Sequence, residues 1–354
     1  MTEREHEPLA AMLARHEKEA AAALSTAATD YIAGGGGEEI SVGDAVAAWR
    51  RFRIRPHVLR DVSAVDTTTS VLGTQLSAPI IAAPTAFHVI AHADAEVGTA
   101  RGVRAAGALM VVATRSNAPL EDVTRALDSP WWFQVYVFRD REITRSLVLD
   151  AVRLGASALV LTGDTPILSR RRHGASVPPL TTEQYLGNFA PYVKPGASIP
   201  RDTAQDPSIT VDTIDWLREL SGLPVLVKGV LRADDALACI EAGAAGVIVS
   251  NHGGRQLDRA VAPAFALAEV VAAVAERAQV LVDGGIRSGI DILIALALGA
   301  RTVMIGRPVS WALAAEGADG VRKLFRALVE DLREAMALAG VPRVADLDSS
   351  LLAR

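Results

Sequence analysis

Cysteine is all but missing from this sequence. Cys239 is the only one in 354 residues, which rules out an intrachain disulfide or a cysteine metal cluster and makes a reducing compartment the expectation. Aromatic residues make up only 5%. The apolar half of the chain is therefore mostly Ala, Val and Leu, with abundant Gly, which suits helices packed on buried parallel strands. Lysine is also scarce, with only Lys18, Lys194, Lys228 and Lys323 among 36 basic residues, so a Lys inside an apolar run carries information. Neither sign of charge dominates. The net charge of −5 argues against general nucleic-acid affinity. No uncharged apolar run approaches the ~20 residues that span a bilayer. The opening MTEREHEPLAAML has no apolar signal-peptide core. The expectation is a cytoplasmic protein without a membrane or nucleic-acid partner.

Eight short apolar runs are present: PIIAAP (79–84), LMVVAT (109–114), WFQVYV (132–137), ALVLTG (158–163), PVLVKG (224–229), AGVIVS (245–250), QVLVDG (279–284) and TVMIG (302–306). Each is too short for a helix and too uniformly apolar for a half-exposed strand, the pattern of strands buried on both faces. Helical segments are expected between them at 95–106, 119–127, 141–154, 232–242, 264–276, 289–298 and 319–338. Asp140 and Ser288 read as N-caps, and Gly155 and Gly243 as C-terminal stops. The alternation predicts an α/β fold, a (β/α)8 barrel, with an open doubly wound sheet as the alternative.

The chain reads as one domain over 1–354. Residues 1–78 form a helical extension with one helix at about 5–30, a glycine turn at 34–37 and a helix near 43–51. Residues 169–212, rich in Pro, Gly, Thr and Ser, read as an active-site lid after the fourth strand.

Barrel enzymes keep their chemistry at the C-terminal ends of the strands. Those positions carry Pro84-Thr85-Ala86, Ala113-Thr114-Arg115, Gln134 with Tyr136, and Thr162-Gly163-Asp164. They continue with Lys228-Gly229, Ser250 to Asp258, Asp283 to Arg287, and Gly306-Arg307. The glycines after the seventh run let backbone N–H groups approach an anion, and Arg307 adds a bidentate contact, so the last two turns fit a phosphate. The alternative is two plain tight turns. Lys228, at the end of a buried strand, needs an anion or polar ligand, or else a structural ion pair. His252 and Arg255 share a glycine-flanked loop, where an imidazole can take a proton and a guanidinium can hold a carboxylate. Asp164 can orient His252, or simply cap a helix.

The motifs SNHGGRQLD, LTGDTP, LVKG, VDGGIRSGID and IGRP, with DYIAGG, RFRIRPHVLRDVSAVDTTTSVLG, APTAF and WFQVYVFRDR, together resemble the FMN-dependent 2-hydroxy acid oxidase/dehydrogenase family. The likeness runs from about residue 28 to the end. It implies oxidation of an L-2-hydroxy acid to the 2-oxo acid, with oxygen or another acceptor taking the electrons, in a homotetramer. By resemblance His252 is the general base and Asp164 stabilises its protonated form. Arg255 and Arg171 hold the carboxylate, and Tyr31 and Tyr136 bond the carboxylate and hydroxyl. Lys228 faces flavin N1–O2, and Pro84, Thr85 and Ala86 pass the N5 edge. Gln134, Thr162 and Ser250 bind the ring or ribityl chain. Asp283, Gly285, Arg287, Gly306 and Arg307 hold ribityl and phosphate.

Three departures from the family pattern stand out. Ala113 replaces a common Ser, so either Thr114 supplies the flavin-facing hydroxyl or that contact is lost. Arg115 replaces an aromatic residue or Leu, so a substrate with a polar or anionic tail is expected, unless Arg115 turns to solvent or pairs with Glu121. The stretch after Arg171 is short and lacks a DxRNxF-like segment. These departures keep one alternative in view, a related FMN enzyme that modifies a larger biosynthetic or peptide intermediate. A diphosphate isomerase on the same barrel has no use for a His–Arg pair.

Overall fold

The computed structural model describes residues 7–172, 178 and 180–353. Eight parallel strands close into a barrel. They are β1 (Ile80–Ala82), β2 (Leu109–Val112), β3 (Trp131–Val135), β4 (Ala158–Thr162), β5 (Val225–Val230), β6 (Gly246–Val249), β7 (Gln279–Asp283) and β8 (Thr302–Ile305). Closure runs through Val303 opposite Ile80 and Ile305 opposite Ala82. All eight runs are strands, which excludes the open sheet. Several end earlier than their runs, because Pro84, Thr114 and Ser250 leave the ladder as the chain turns out of the barrel mouth.

Alternate strand residues fill the barrel. Ile81, Val111, Trp132, Val160, Ile248, Leu281 and Met304 form an interior cluster separate from the strand–helix core. Val71 and Leu76 join that cluster from a hairpin, Thr69–Val71 with Thr74–Leu76, which the sequence reading did not expect. Its turn, Leu72-Gly73, has φ of 44° and 79°. Such turns normally carry Asn-Gly or Asp-Gly, and Leu in that conformation gives no warning.

The first helix is two helices, not one. Leu9–Ala23 ends where Leu24 turns extended, and Ser25 starts Thr26–Ala33 by accepting a bond from the Ala28 N–H at 3.2 Å. Helix propensity through the Ala-rich run hides this break, which the capping Ser makes. The helix near 43–51 spans Ile40–Trp49. The segment 319–338 is the second half of Arg307–Leu338, bent at Glu316 and Gly317. Asp140 and Ser288 are N-caps, and Gly155 and Gly243 sit at positive φ just past their helices. The β4–β5 connection holds Thr182–Leu186, opened by a Thr181–Gln184 capping box, and buries Phe189 against Phe138 at 5.4 Å.

At the bend, Glu316 accepts from Arg15 Nη1 at 2.5 Å and Lys323 Nζ at 2.6 Å, tying Leu9–Ala23 to the last helix. Burial alone would raise the Glu316 pKa, but the bonds from Lys323 and Arg15 outweigh it and take it from 4.5 to about 2. A depressed carboxylate adds stability that is whole above its unfolded pKa and lost as pH falls through the folded one. Glu316→Gln is therefore expected to lower the thermal midpoint at pH 7. It should also flatten the fall of that midpoint between pH 4.5 and 2. A variant that tracks the parent across that window contradicts this account.

Candidate active site

β6 runs into Ser250-Asn251-His252. His252, Gly253 and Gly254 all adopt left-handed backbone, with φ of 58°, 64° and 72°. A histidine held there is uncommon and has to be supported. Asn251 Oδ1 accepts from the Gly254 N–H at 3.2 Å, and Ser250 Oγ accepts from the His252 N–H at 3.0 Å. The imidazole is fixed at both nitrogens. Nδ1 lies 2.9 Å from Asp164 Oδ1, and Nε2 lies 3.5 Å from the Tyr136 hydroxyl. Asp164 fits because Gly229 is opposite, where a Cβ would fall 2.4 Å from the Asp164 Cβ. Burial pushes the Asp164 carboxyl up, yet His252 and Lys228 hold it below its ordinary range. It therefore stays an anion behind the imidazole. Burial and Asp164 raise the Tyr136 phenol, keeping it a neutral hydrogen-bond donor.

Arg255 and Arg171 converge on Tyr31, 4.8 and 4.7 Å from the ring centre. Both donate to the Tyr31 carbonyl, at 2.9 and 3.0 Å. Burial, with Arg255 alongside, lowers Arg171 to about 10. Arg307 donates to the carbonyls of Ile32, Gly34 and Gly253. Burial, then Arg255, lowers it to about 9. Burial also lowers Arg287. Among the described residues, none of these four arginines pairs with a carboxylate. Crowded, half-buried guanidiniums of this kind form a site for anions.

Most of the expected residues meet here. Tyr31, Pro84, Thr85, Ala86, Arg115, Gln134, Tyr136, Thr162, Arg171 and Lys228 line one cavity, as do His252, Arg255, Asp283, Gly285, Arg287, Gly306 and Arg307. Asp164, Ser250 and Thr114 do not line it. Asp164 stands behind His252, and Ser250 Oγ accepts from Lys228 Nζ at 2.8 Å. Strand alternation turns Thr114 away while Ala113 faces the cavity. The Thr114 hydroxyl is used on the Gln134 carbonyl at 2.5 Å and the Tyr136 N–H at 2.9 Å. Lys228 also pairs with Asp283 Oδ2 at 3.1 Å. Lys228 thus has the structural ion pair that was one of its two readings, and it also lines the cavity. Arg115 is neither turned to solvent nor paired with Glu121, which bonds Arg153 instead. Residues 173–177 and 179, most of the shortened stretch, lie outside the described residues.

Other neighbours were not expected. His88 lines the cavity with one ring nitrogen on the Thr85 hydroxyl and the other on Thr99 Oγ1 at 2.8 Å. Gln205 and Gln256 also line it. The glycines at 34–37 do more than turn. The Gly36 N–H donates to the Gly254 carbonyl at 2.8 Å and the Gly37 N–H to the Arg170 carbonyl at 2.9 Å. Four glycines in a row were the available signal.

The residues fit FMN. Arg287 and Arg307 beside Gly285 suit a phosphate. Lys228 and Asp283, whose Oδ1 is buried without a partner among the described residues, suit the polar edge of a flavin and its ribityl chain. A family model for FMN-dependent dehydrogenases matches residues 20–354. The chain belongs to the FMN-dependent dehydrogenase family. It is 43% identical to an L-lactate oxidase of Nostoc sp. over 96% of this chain and 97% of that one. It is 40% identical to human 2-hydroxyacid oxidase 2 over 93% and 94%. A crystal structure of mandelate oxidase superposes with a TM-score of 0.88 at 39% identity, covering 96% and 97%. FMN is the cofactor.

A Cβ on Gly36 would lie 2.0 Å from the Gln256 carbonyl oxygen. Gly36→Ala is expected to cost about 2–3 kcal/mol of stability and to weaken ligand binding by displacing the 252–256 loop, as read by denaturant midpoint and FMN titration. Parental values for both would show that the close approach is dispensable.

Proposed function

We propose that this protein oxidises an L-2-hydroxy acid to the 2-oxo acid, with oxygen or another acceptor completing the cycle. Bound FMN supplies the two-electron acceptor. The reading rests above all on His252, with Nδ1 against an anionic Asp164 and Nε2 turned to the Tyr136 hydroxyl, three residues from Arg255.

Arg255 and Arg171 receive the substrate carboxylate, each offering a planar fork. Tyr31 lies beneath both and adds a contact to the same group. Tyr136 donates to the substrate hydroxyl. With the acid held at one end, His252 Nε2 takes a proton from the substrate's 2-carbon or from its hydroxyl, and Asp164 stabilises the imidazolium that forms. Lys228, with Ser250 and Asp283, would hold the cofactor's N1–O2 edge. Pro84, Thr85 and Ala86 would pass its N5 edge, and Gln134 and Thr162 would meet the ring or ribityl chain. Asp283, Gly285, Arg287, Gly306 and Arg307 would hold the ribityl and phosphate. Thr114 supports Gln134 and Tyr136 rather than touching the cofactor. Residues 169–212 serve as a lid within a single functional unit, with 1–78 as an extension that supplies Tyr31. Among the described residues no helix is long and apolar enough to cross a membrane. Cytoplasmic residence, supported by the lone cysteine, and a homotetramer, supported by the family resemblance, belong to the same proposal.

Anaerobic bleaching of the flavin by a panel of L-2-hydroxy acids tests the reaction, and peroxide formation under air tests oxygen as acceptor. His252→Gln is expected to keep FMN bound and to slow bleaching by about 10²–10⁴-fold. Normal bleaching in that variant removes the base assignment. Arg255→Lys is expected to raise KM for the acid through loss of the planar fork, and an unchanged KM counts against the carboxylate role.

A further inference from the structure

Arg115 leaves β2 beneath the β4–β5 connection and is only 6% exposed. Its guanidinium sits in a box of three rings, 5.1 Å from the centre of Tyr185, 5.2 Å from Phe138 and 5.7 Å from Phe189. Nη2 donates to the Thr203 carbonyl at 2.7 Å. Nη1 is buried with no partner among the described residues. Contact with ring faces offsets part of the cost of burying the charge, but two N–H groups stay dry, and an anion would relieve them.

Arg115 also lines the cavity that holds His252 and Arg255. Its charge is felt at the reaction wall. Burial and Asp164 raise the Tyr136 phenol, and Arg115 works against them. The cavity therefore has cations in two places. Arg171 and Arg255 share the ring of Tyr31. Phe87 bridges Tyr31 and Tyr185, 6.0 Å from each, and Arg115 rests on Tyr185. An acid with one carboxylate is matched by the guanidinium pair alone. A second carboxylate in the same cavity would give Arg115 Nη1 the partner it lacks among the described residues.

We propose that the preferred substrate is a short 2-hydroxy dicarboxylate whose second carboxylate is received by Arg115. This rests on the 2-hydroxy acid reading above and names the substrate class of that site.

The FMN-loaded protein is mixed anaerobically with L-malate and L-2-hydroxyglutarate. The comparison acids are L-2-hydroxybutyrate, L-2-hydroxyvalerate, L-lactate and L-mandelate. At least one dicarboxylate is expected to exceed every monocarboxylate in kcat/KM by about 10²-fold. A monocarboxylate that matches or exceeds both dicarboxylates overturns the proposal and leaves the 2-hydroxy acid reading standing. Bleaching by none of the six overturns both. Binding gives a second arm, with 2-oxoglutarate and 2-oxovalerate titrated against the flavin spectrum. Arg115→Met is expected to weaken 2-oxoglutarate about 10²-fold more than 2-oxovalerate. Equal weakening reduces Arg115 to a clamp on the connection above it and overturns the proposal. Should Arg115→Met not fold, the parent's discrimination among the six acids decides alone.

Discussion

Half-buried positive charge with no carboxylate partner among the described residues is the constraint that organises this molecule. Arg171, Arg255, Arg287 and Arg307 stand together at the barrel mouth, and burial pulls three of them below the usual arginine range. A protein that only needed to fold would place an Asp or Glu among them. Here the carbonyls of Tyr31, Ile32 and Gly34 carry the load in part, so the N-terminal extension is bound to the site it flanks. What those carbonyls leave over is affinity for anions. A phosphate at Arg287 and Arg307 and a carboxylate at Arg171 and Arg255 would divide that affinity between cofactor and substrate.

The remaining polar groups are set against this positive field. Asp164 is the one carboxylate directly behind the imidazole, and it is placed on the far side of the ring from the cavity. Its charge is therefore available to an imidazolium without neutralising the arginines. Glycines make the geometry possible where backbones meet: Gly229 opens space for Asp164, and Gly36 lets the extension touch the 252–256 loop. Strain at His252, a non-glycine residue at φ 58°, is held by Ser250 and Asn251, so the 252–256 loop is fixed before any ligand arrives.

The barrel was legible because buried parallel strands are short, apolar and evenly spaced, and all eight stand where the runs lie. The hairpin at Thr69–Leu76 was not, because its turn is Leu-Gly and its strands have three residues each. Ser25 hid in a helical run for the opposite reason, a single cap overriding strong local propensity. Among the residues that line the cavity, those at strand ends were readable from position and type. Which of Ala113 and Thr114 faces the cavity was not readable, because the alternation of a strand decides it; Ala113 lines the cavity and Thr114 does not. The environment of Arg115 was not readable at all. Its three rings are remote from it in sequence, and only the fold of the β4–β5 connection brings Tyr185 and Phe189 to it. His88 likewise shows nothing in sequence that separates it from a surface histidine.

The central claim is that unpaired guanidiniums at the mouth of the barrel are there to hold a phosphate and a carboxylate. Calorimetric titration of the cofactor-stripped protein with FMN and with riboflavin, at matched ionic strength, tests it most directly. The account predicts that FMN binds far more tightly than riboflavin and that Arg307→Met removes most of the difference. Equal affinity for the two flavins would contradict it.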